Sequence, residues 1–230
     1  MRIVVGGLGG IVSNLVEPLC RFIAHSQNLT RSVTLIDGKS YRDHNSSRQR
    51  TPFFSNKSEV SQKWLAELFP NLEIEAKPTF IDEDNIFGLL FEDDIIFLGC
   101  DNHATRKLIS DYSVTLNNIV LISGGNELYD GNVQIYWKKD GRDITRPLTW
   151  QHPEIENPQD KNPSEMSCEE LAQKGETQLL AVNMIVATLM LNAFTLYLLK
   201  GDIPYNEIYF DIATGNVRPV RNGKIIGEQV

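Results

Sequence analysis

A carboxylate, an amide, a guanidinium and an ammonium follow one another at Asp37, Asn45, Arg48 and Lys57, and a second carboxylate stands at Asp101. Ahead of them, Gly7, Gly9 and Gly10 form G-x-G-G directly after the apolar run Ile3-Val4-Val5. An apolar run that ends in glycines and passes into a helical pattern brings backbone N–H groups and a helix N-terminus against phosphate. Glycine there removes the Cβ that would hold a phosphate away and permits the positive φ of a tight turn. Asp37 ends a second apolar run, where a carboxylate can accept hydrogen bonds from a ribose; the competing reading is a turn-forming Asp-Gly. Asn45, Arg48 and Gln49 then supply the donors and charge that a triphosphate needs and glycines lack. The combination reads as a nucleotide site.

Three further residues have two readings each. Lys57, in Asn56-Lys57-Ser58-Glu59, is a cation at a helix start or a solvated charge. Asp101, in Gly99-Cys100-Asp101-Asn102, can hold Mg²⁺ beside phosphates or cap a helix. Ser167-Cys168-Glu169-Glu170 reads as a capping box, placing Cys168 in a first helical turn. That position favours thiolate while the two glutamates oppose it, so a nucleophile and an incidental loop cysteine both remain open. Cys20 reads as core and Cys100 as packing beneath the site. His44, His103 and His152 are scattered and read as surface or capping residues.

The elements that must hold these residues alternate. Strand patterns cover Ile3–Val5, Ser32–Ile36, Leu72–Ala76, Asp94–Leu98 and Ile119–Ile122, the last ending at Gly124-Gly125. Helical patterns cover Ile11–Ile23, Lys57–Leu68 and Asn102–Tyr112. Alternation of this kind implies a doubly wound parallel sheet with ligands at the carboxyl ends of its strands. Beyond residue 130 the rhythm changes. Gly131–Trp137 with the turn at Asp140-Gly141, and Ile208–Phe210 with Val217–Val220 around Thr214-Gly215-Asn216, predict antiparallel pairs. The proline-bearing stretch 146–166 predicts a crossing loop or lid. Gln178–Leu199 is long and apolar enough to suggest a membrane span, but Asn183, Thr188, Asn192 and Thr195 interrupt it and favour a core or subunit-interface helix.

At 230 residues, 41% hydrophobic and 23% charged, the chain fits one domain with a full core. A net charge of −8 disfavours nucleic acid as a partner. Three widely spaced cysteines provide neither a disulfide framework nor a C-x-x-C zinc site. No signal peptide is expected ahead of the first strand, and the expected compartment is a reducing cytoplasm.

Gly7-x-Gly9-Gly10, Asp37, Asn45-Ser46-Ser47-Arg48-Gln49, Lys57-Ser58-Glu59 and Asp101-Asn102-x3-Arg106 resemble the adenylation motifs of the ThiF/MoeB and ubiquitin-activating superfamily. The likeness extends over most of the chain, to the Pro163–Glu170 stretch, Asn183 and the closing Thr214-Gly215-x2-Arg218-Pro219. It implies one Rossmann-like adenylation domain over residues 1–230, with a mostly parallel sheet and antiparallel strands in its C-terminal part. The implied reaction is ATP-dependent adenylation of the C-terminal glycine of a ubiquitin-like or sulfur-carrier protein, with thioester formation on Cys168 as a possible second step. By matching motif, Asp37 would bind ribose, Asn45, Arg48 and Gln49 the phosphates, Lys57 the charge developing on them, and Asp101 the Mg²⁺.

A homodimer and a downstream conjugating enzyme are the implied partners, without membrane or nucleic acid. The sequence also departs from the family's pattern. Val12 stands where a third glycine is common, paired C-x-x-C motifs are absent so that no structural zinc is expected, and the chain is expected to lack an N-terminal arginine that relatives lend to a neighbour. Arg50 or a partner subunit is the candidate replacement for that charge. Three other readings stay open: a catalytically weak scaffold subunit of a heteromeric activating enzyme, a NAD- or FAD-dependent oxidoreductase using the same glycine loop, and an RNA-modifying dehydratase of the same superfamily.

Overall fold

Runs that are apolar without alternation become strands covered on both faces. In the computed structural model, which describes residues 1–27, 29–41, 55–166, 179–221 and 224–225, these are β1 (Arg2–Gly6), β2 (Ser32–Ile36), β4 (Asp94–Leu98) and β5 (Ile119–Asn126). With β3 (Glu73–Lys77) at the edge, they pair in parallel in the order β3-β2-β1-β4-β5. Successive residues divide between two cores: Ile3, Val5, Ile95 and Phe97 face one, and Val4, Ile96 and Leu98 the other. The connections are α1 (Gly10–His25), α2 (Lys57–Leu68), α3 (Ile86–Leu89) and α4 (His103–Thr115). Strand order reverses between β1 and β4, so the loops leaving them open a crevice at the carboxyl edge.

Past β5 the sheet turns antiparallel through β6 (Asp130–Lys139), β8 (Glu207–Asp211), β9 (Asn216–Arg221) and β10 (Lys224–Ile225), with β7 (Arg142–Asp143) paired to β6. One sequence expectation is corrected here. Strand β5 does not end before Gly124-Gly125 but runs through them, pairing Gly124 with Val133 and Gly125 with Asn132. A side chain at Gly124 would strike Met190 and Val186, and one at Gly125 would strike Arg106 and Asn132, so glycine here lets helices press on a strand. The proline-rich stretch contains α5 (Pro153–Glu156) and a 3₁₀ turn, Pro163–Glu165.

Helix α6 (Leu180–Lys200) is, by length and composition alone, able to cross a membrane. One face is instead core, with Val182, Val186, Met190, Ala193 and Phe194 buried in the cluster that also holds α1. Its Thr188 and Thr195 hydroxyls donate to the carbonyls of Met184 and Leu191 (both 2.8 Å), and Asn192 Nδ2 donates to Tyr205 Oη at 3.1 Å. Those three polar interruptions are thereby absorbed. Leu180, Met184 and Leu199 lie on the exposed side.

Candidate functional site

Gly7 leaves β1 with φ +76°, and a Cβ on it would stand 2.9 Å from Cys100 Sγ and 3.0 Å from Cys100 N. Both the turn and the approach of the β4 loop therefore require glycine. Gly7 N donates to Ile36 O and Gly9 N to Gly7 O (3.0 and 2.8 Å), which sets the loop. Gly9 is the N-cap of α1 and supplies no side-chain cap. The first-turn N–H groups of a helix have no intrahelical partners, so this end offers donors to an anion. Val12 lies against Gly99, whose missing Cβ leaves the room it takes. The absent third glycine is thus compensated from the opposite loop.

Asp37 follows β2 and is 7% exposed. Its Oδ2 accepts from Leu8 N at 2.6 Å and its Oδ1 from Lys39 N at 2.7 Å, so the carboxylate braces the glycine loop while it forms the Asp-Gly turn. Burial pushes its proton affinity up, and the Lys57 charge and the N–H groups of Lys39 and Leu8 oppose that. Asn56 ties α2 to the same place. Its Nδ2 donates to Asp37 O at 2.8 Å, and its Oδ1 caps α2 by accepting from Ser58 N and Glu59 N (2.8 and 3.3 Å). Lys57 is consequently not a solvated charge: it is 5% exposed, with Nζ 5.6 Å from the Tyr41 ring centroid.

Across the crevice, the cap of α4 is Asn102, whose Oδ1 accepts from Thr105 N at 2.8 Å. This decides against Asp101 as the cap. The Asp101 carboxylate, 51% exposed, receives Lys39 Nζ at 3.0 and 3.2 Å. A carboxylate beside phosphates fits Mg²⁺, which binds through one or two carboxylates plus phosphate oxygens. No cluster of three or more potential metal ligands occurs among the described residues. The α4 N-terminus is closed by the crossing loop, since Asp160 accepts from His103 N and Ala104 N (2.8 and 2.9 Å). Arg106 is a buried strut, donating to Cys100 O and Gly124 O. Cys100 packs beneath the loop as expected, and burial, with the Asp101 and Asp37 charges adding to it, pushes its thiol up to about 12, which disfavours the thiolate. Cys20 is core, with 0% exposure.

Gly7, Gly9, Gly10, Asp37, Lys57 and Asp101 all line one cavity of about 1400 Å³. It continues from the glycine loop to the antiparallel strands, where Asn132, Tyr209 and Arg218 line it. Register places Asn132 beside Tyr209 and Tyr209 beside Arg218, a polar row across β6, β8 and β9. Above it, His152 Nδ1 meets Glu154 Oε1 at 2.9 Å and Nε2 lies 3.4 Å from Glu207 Oε2, to which the Tyr209 hydroxyl donates at 2.6 Å. Burial works against a charge on His152, but the hydrogen bonds to Glu207 and Glu154 outweigh it and raise its pKa.

The ThiF family model matches residues 1–223. The chain belongs to the ThiF family. Among curated proteins that this chain resembles, the adenylyltransferase and sulfurtransferase UBA4 of Candida albicans is 31% identical over 75 residues, 33% of this chain and 17% of that protein. The sulfur carrier protein adenylyltransferase of Thermus thermophilus is 32% identical over 80 residues, 35% of this chain and 29% of that protein. These alignments span less than a third of either relative. Two solved structures share the fold at 17% identity: E. coli MccB with ATP (TM-score 0.73, covering 97% of this chain and 64% of that one), and the microcin C7 biosynthetic enzyme MccB with N-formylated MccA (TM-score 0.74, 100% and 67%).

Of the sequence-derived site of this ThiF-family chain, Asn45, Arg48, Gln49, Arg50 and Cys168 lie outside the described residues. Lys39, Asp160 and the carboxylates around His152, Glu154 and Glu207, had no sequence signal strong enough to single them out, and Asn56 was passed over. Asn56 is the exception in principle, because an asparagine before Lys-Ser-Glu is a legible N-cap.

Proposed function

We propose that this ThiF-family protein uses ATP to adenylate the C-terminal carboxylate of a small ubiquitin-like or sulfur-carrier protein. The observation that carries the reading is one cavity in which the glycine loop, Asp37, Lys57 and Asp101 converge at one end and a polar strand face opens at the other. The glycine loop and the α1 N-terminus receive the phosphates, and Asp37, though already accepting from two backbone N–H groups, has acceptor capacity left for ribose hydroxyls. A carrier tail laid along β6, β8 and β9 brings its carboxylate to the α-phosphorus. Its oxygen bonds to phosphorus as the bridging oxygen leaves with pyrophosphate, giving an acyl-adenylate. Lys57, with Arg48 and Asn45, stabilises the charge that shifts onto the departing phosphates, where a fixed cation in a dry site acts most strongly. Mg²⁺ held by Asp101 would supply further neutralisation of those phosphates.

Two finer steps belong to the same proposal. Cys168 takes the acyl group as a thioester with release of AMP, and the exposed apolar side of α6, with Leu180, Met184 and Leu199, pairs two copies of the chain. The names of the UBA4 and Thermus relatives support the reaction class. The test is ATP–pyrophosphate exchange in the presence of small glycine-ended proteins encoded nearby, followed by a search for a reductant-sensitive adduct with and without Cys168→Ala. Absence of exchange with every candidate, while ATP itself binds, would sink the adenylation reading. An adduct that survives Cys168→Ala removes that cysteine from the mechanism.

A further inference from the structure

Asn183 sits in the first turn of α6, wholly buried at 0% exposure. Neither its Nδ2 nor its Oδ1 has a hydrogen-bond partner among the described residues. The side chain lies against Gly10: a Cβ on that glycine would stand 2.7 Å from Asn183 Nδ2 and 2.9 Å from Oδ1. Gly10 is the first residue of α1 and lines the nucleotide-side cavity, and its φ is not in the left-handed region. Its lack of a side chain is therefore owed to Asn183, not to backbone strain.

An unpaired buried carboxamide is costly, and an apolar residue of the same size would relieve it. Its placement is specific: the amide abuts Gly10, in the first turn of the helix whose unpaired N–H groups can receive an anion. We infer that Asn183 is a positioning residue for the phosphates, supporting the first turn of α1 and pairing with the loop backbone when that turn takes up phosphate charge. This rests on the nucleotide-binding part of the proposed function.

Asn183→Leu keeps the branched shape and heavy-atom count of the side chain and removes the amide. Expected are an unfolding temperature without nucleotide equal to or above that of the wild type, and a Kd for ATP by calorimetry weakened about tenfold, the value of one lost hydrogen bond. A lowered unfolding temperature with unchanged Kd would show a purely structural role and overturn the inference. Should that variant not fold, the wild type decides by NMR. ATP should shift the assigned Asn183 side-chain amide signals and slow their exchange, and signals unmoved at saturating ATP would overturn the inference. ATP binding without pyrophosphate exchange would defeat the adenylation reading and leave this one standing; no ATP binding would defeat both.

Discussion

A methyl group of Val12 occupies the space that a side chain at Gly99 would need, so the first turn of α1 and the end of β4 are matched to each other. The usual arrangement places the small residue on the helix; here it is on the strand loop. Gly99→Ala should therefore destabilise the protein by roughly 1–3 kcal/mol through overpacking. Adding Val12→Ala, whose Cβ is already at the ordinary distance of 3.6 Å, should recover most of that. Urea denaturation of both variants checks the coupling, and additive losses would disprove it.

Lys57 is held by the cap on Asn56 and placed near the buried Asp37. If it balances charge on departing phosphates, Lys57→Met should slow ATP–pyrophosphate exchange by on the order of 10²–10³-fold, as loss of one fixed donor to developing charge does elsewhere. The same change removes the cation that opposes the upward pull of burial on Asp37, so weaker ATP binding should accompany the slower rate. Circular dichroism establishes that the variant is folded. An exchange rate within threefold of the wild type would contradict the assigned role.

The parallel half of the fold was legible because its strands are continuous apolar runs and its turns carry glycine at points where only glycine fits. Asp94–Leu98 and Lys57–Leu68 were read to the residue, since each is bounded by its own cap, turn or proline. Gly124-Gly125 misled because glycine usually ends a strand, whereas here it admits Met190 and Arg106. The residues that line the candidate site were legible where the pattern is local in sequence, as at Gly7, Asp37 and Lys57. Lys39, Asp160 and Asn183 act through contacts 62, 57 and 173 positions away in the chain, with Asp101, His103 and Gly10, and no spacing rule reports those.

Asp160 offers its two oxygens to the N–H groups of His103 and Ala104, fastening the crossing loop to α4. A carboxylate at a helix N-terminus contributes both hydrogen bonds and a favourable charge–dipole term. Asp160→Ala should cost about 1–2 kcal/mol in unfolding free energy, with Asp160→Asn losing less. Because Asn162 anchors the same loop independently by donating to Ile81 O at 2.9 Å, the fold should survive. The local consequence is faster proteolysis within residues 157–162. Unchanged cleavage in a destabilised variant would show that the cap serves α4 alone.

His152 joins the crossing loop to β8 through Glu154, Glu207 and Tyr209, and its pH dependence follows from their shifts. Burial opposes its protonation, but the two carboxylates prevail and raise its pKa above the usual 6.5. Burial likewise opposes charge on Glu207 and Glu154, while hydrogen bonds, from His152 and Tyr209 to Glu207 and from its own backbone N–H and His152 to Glu154, hold both below the usual 4.5. Stability from a raised histidine is complete below the unfolded value and lost as pH climbs through the folded one; stability from depressed carboxylates is lost as pH falls through theirs. The cluster therefore contributes most between about pH 4.5 and 6.5. The unfolding-temperature difference between wild type and His152→Gln should be largest there and shrink toward pH 8.5, because titrations elsewhere are common to both proteins and cancel. A difference that stays constant across that range would mean that His152 has the same proton affinity in the folded and unfolded chain, which would contradict its coupling to Glu207 and Glu154.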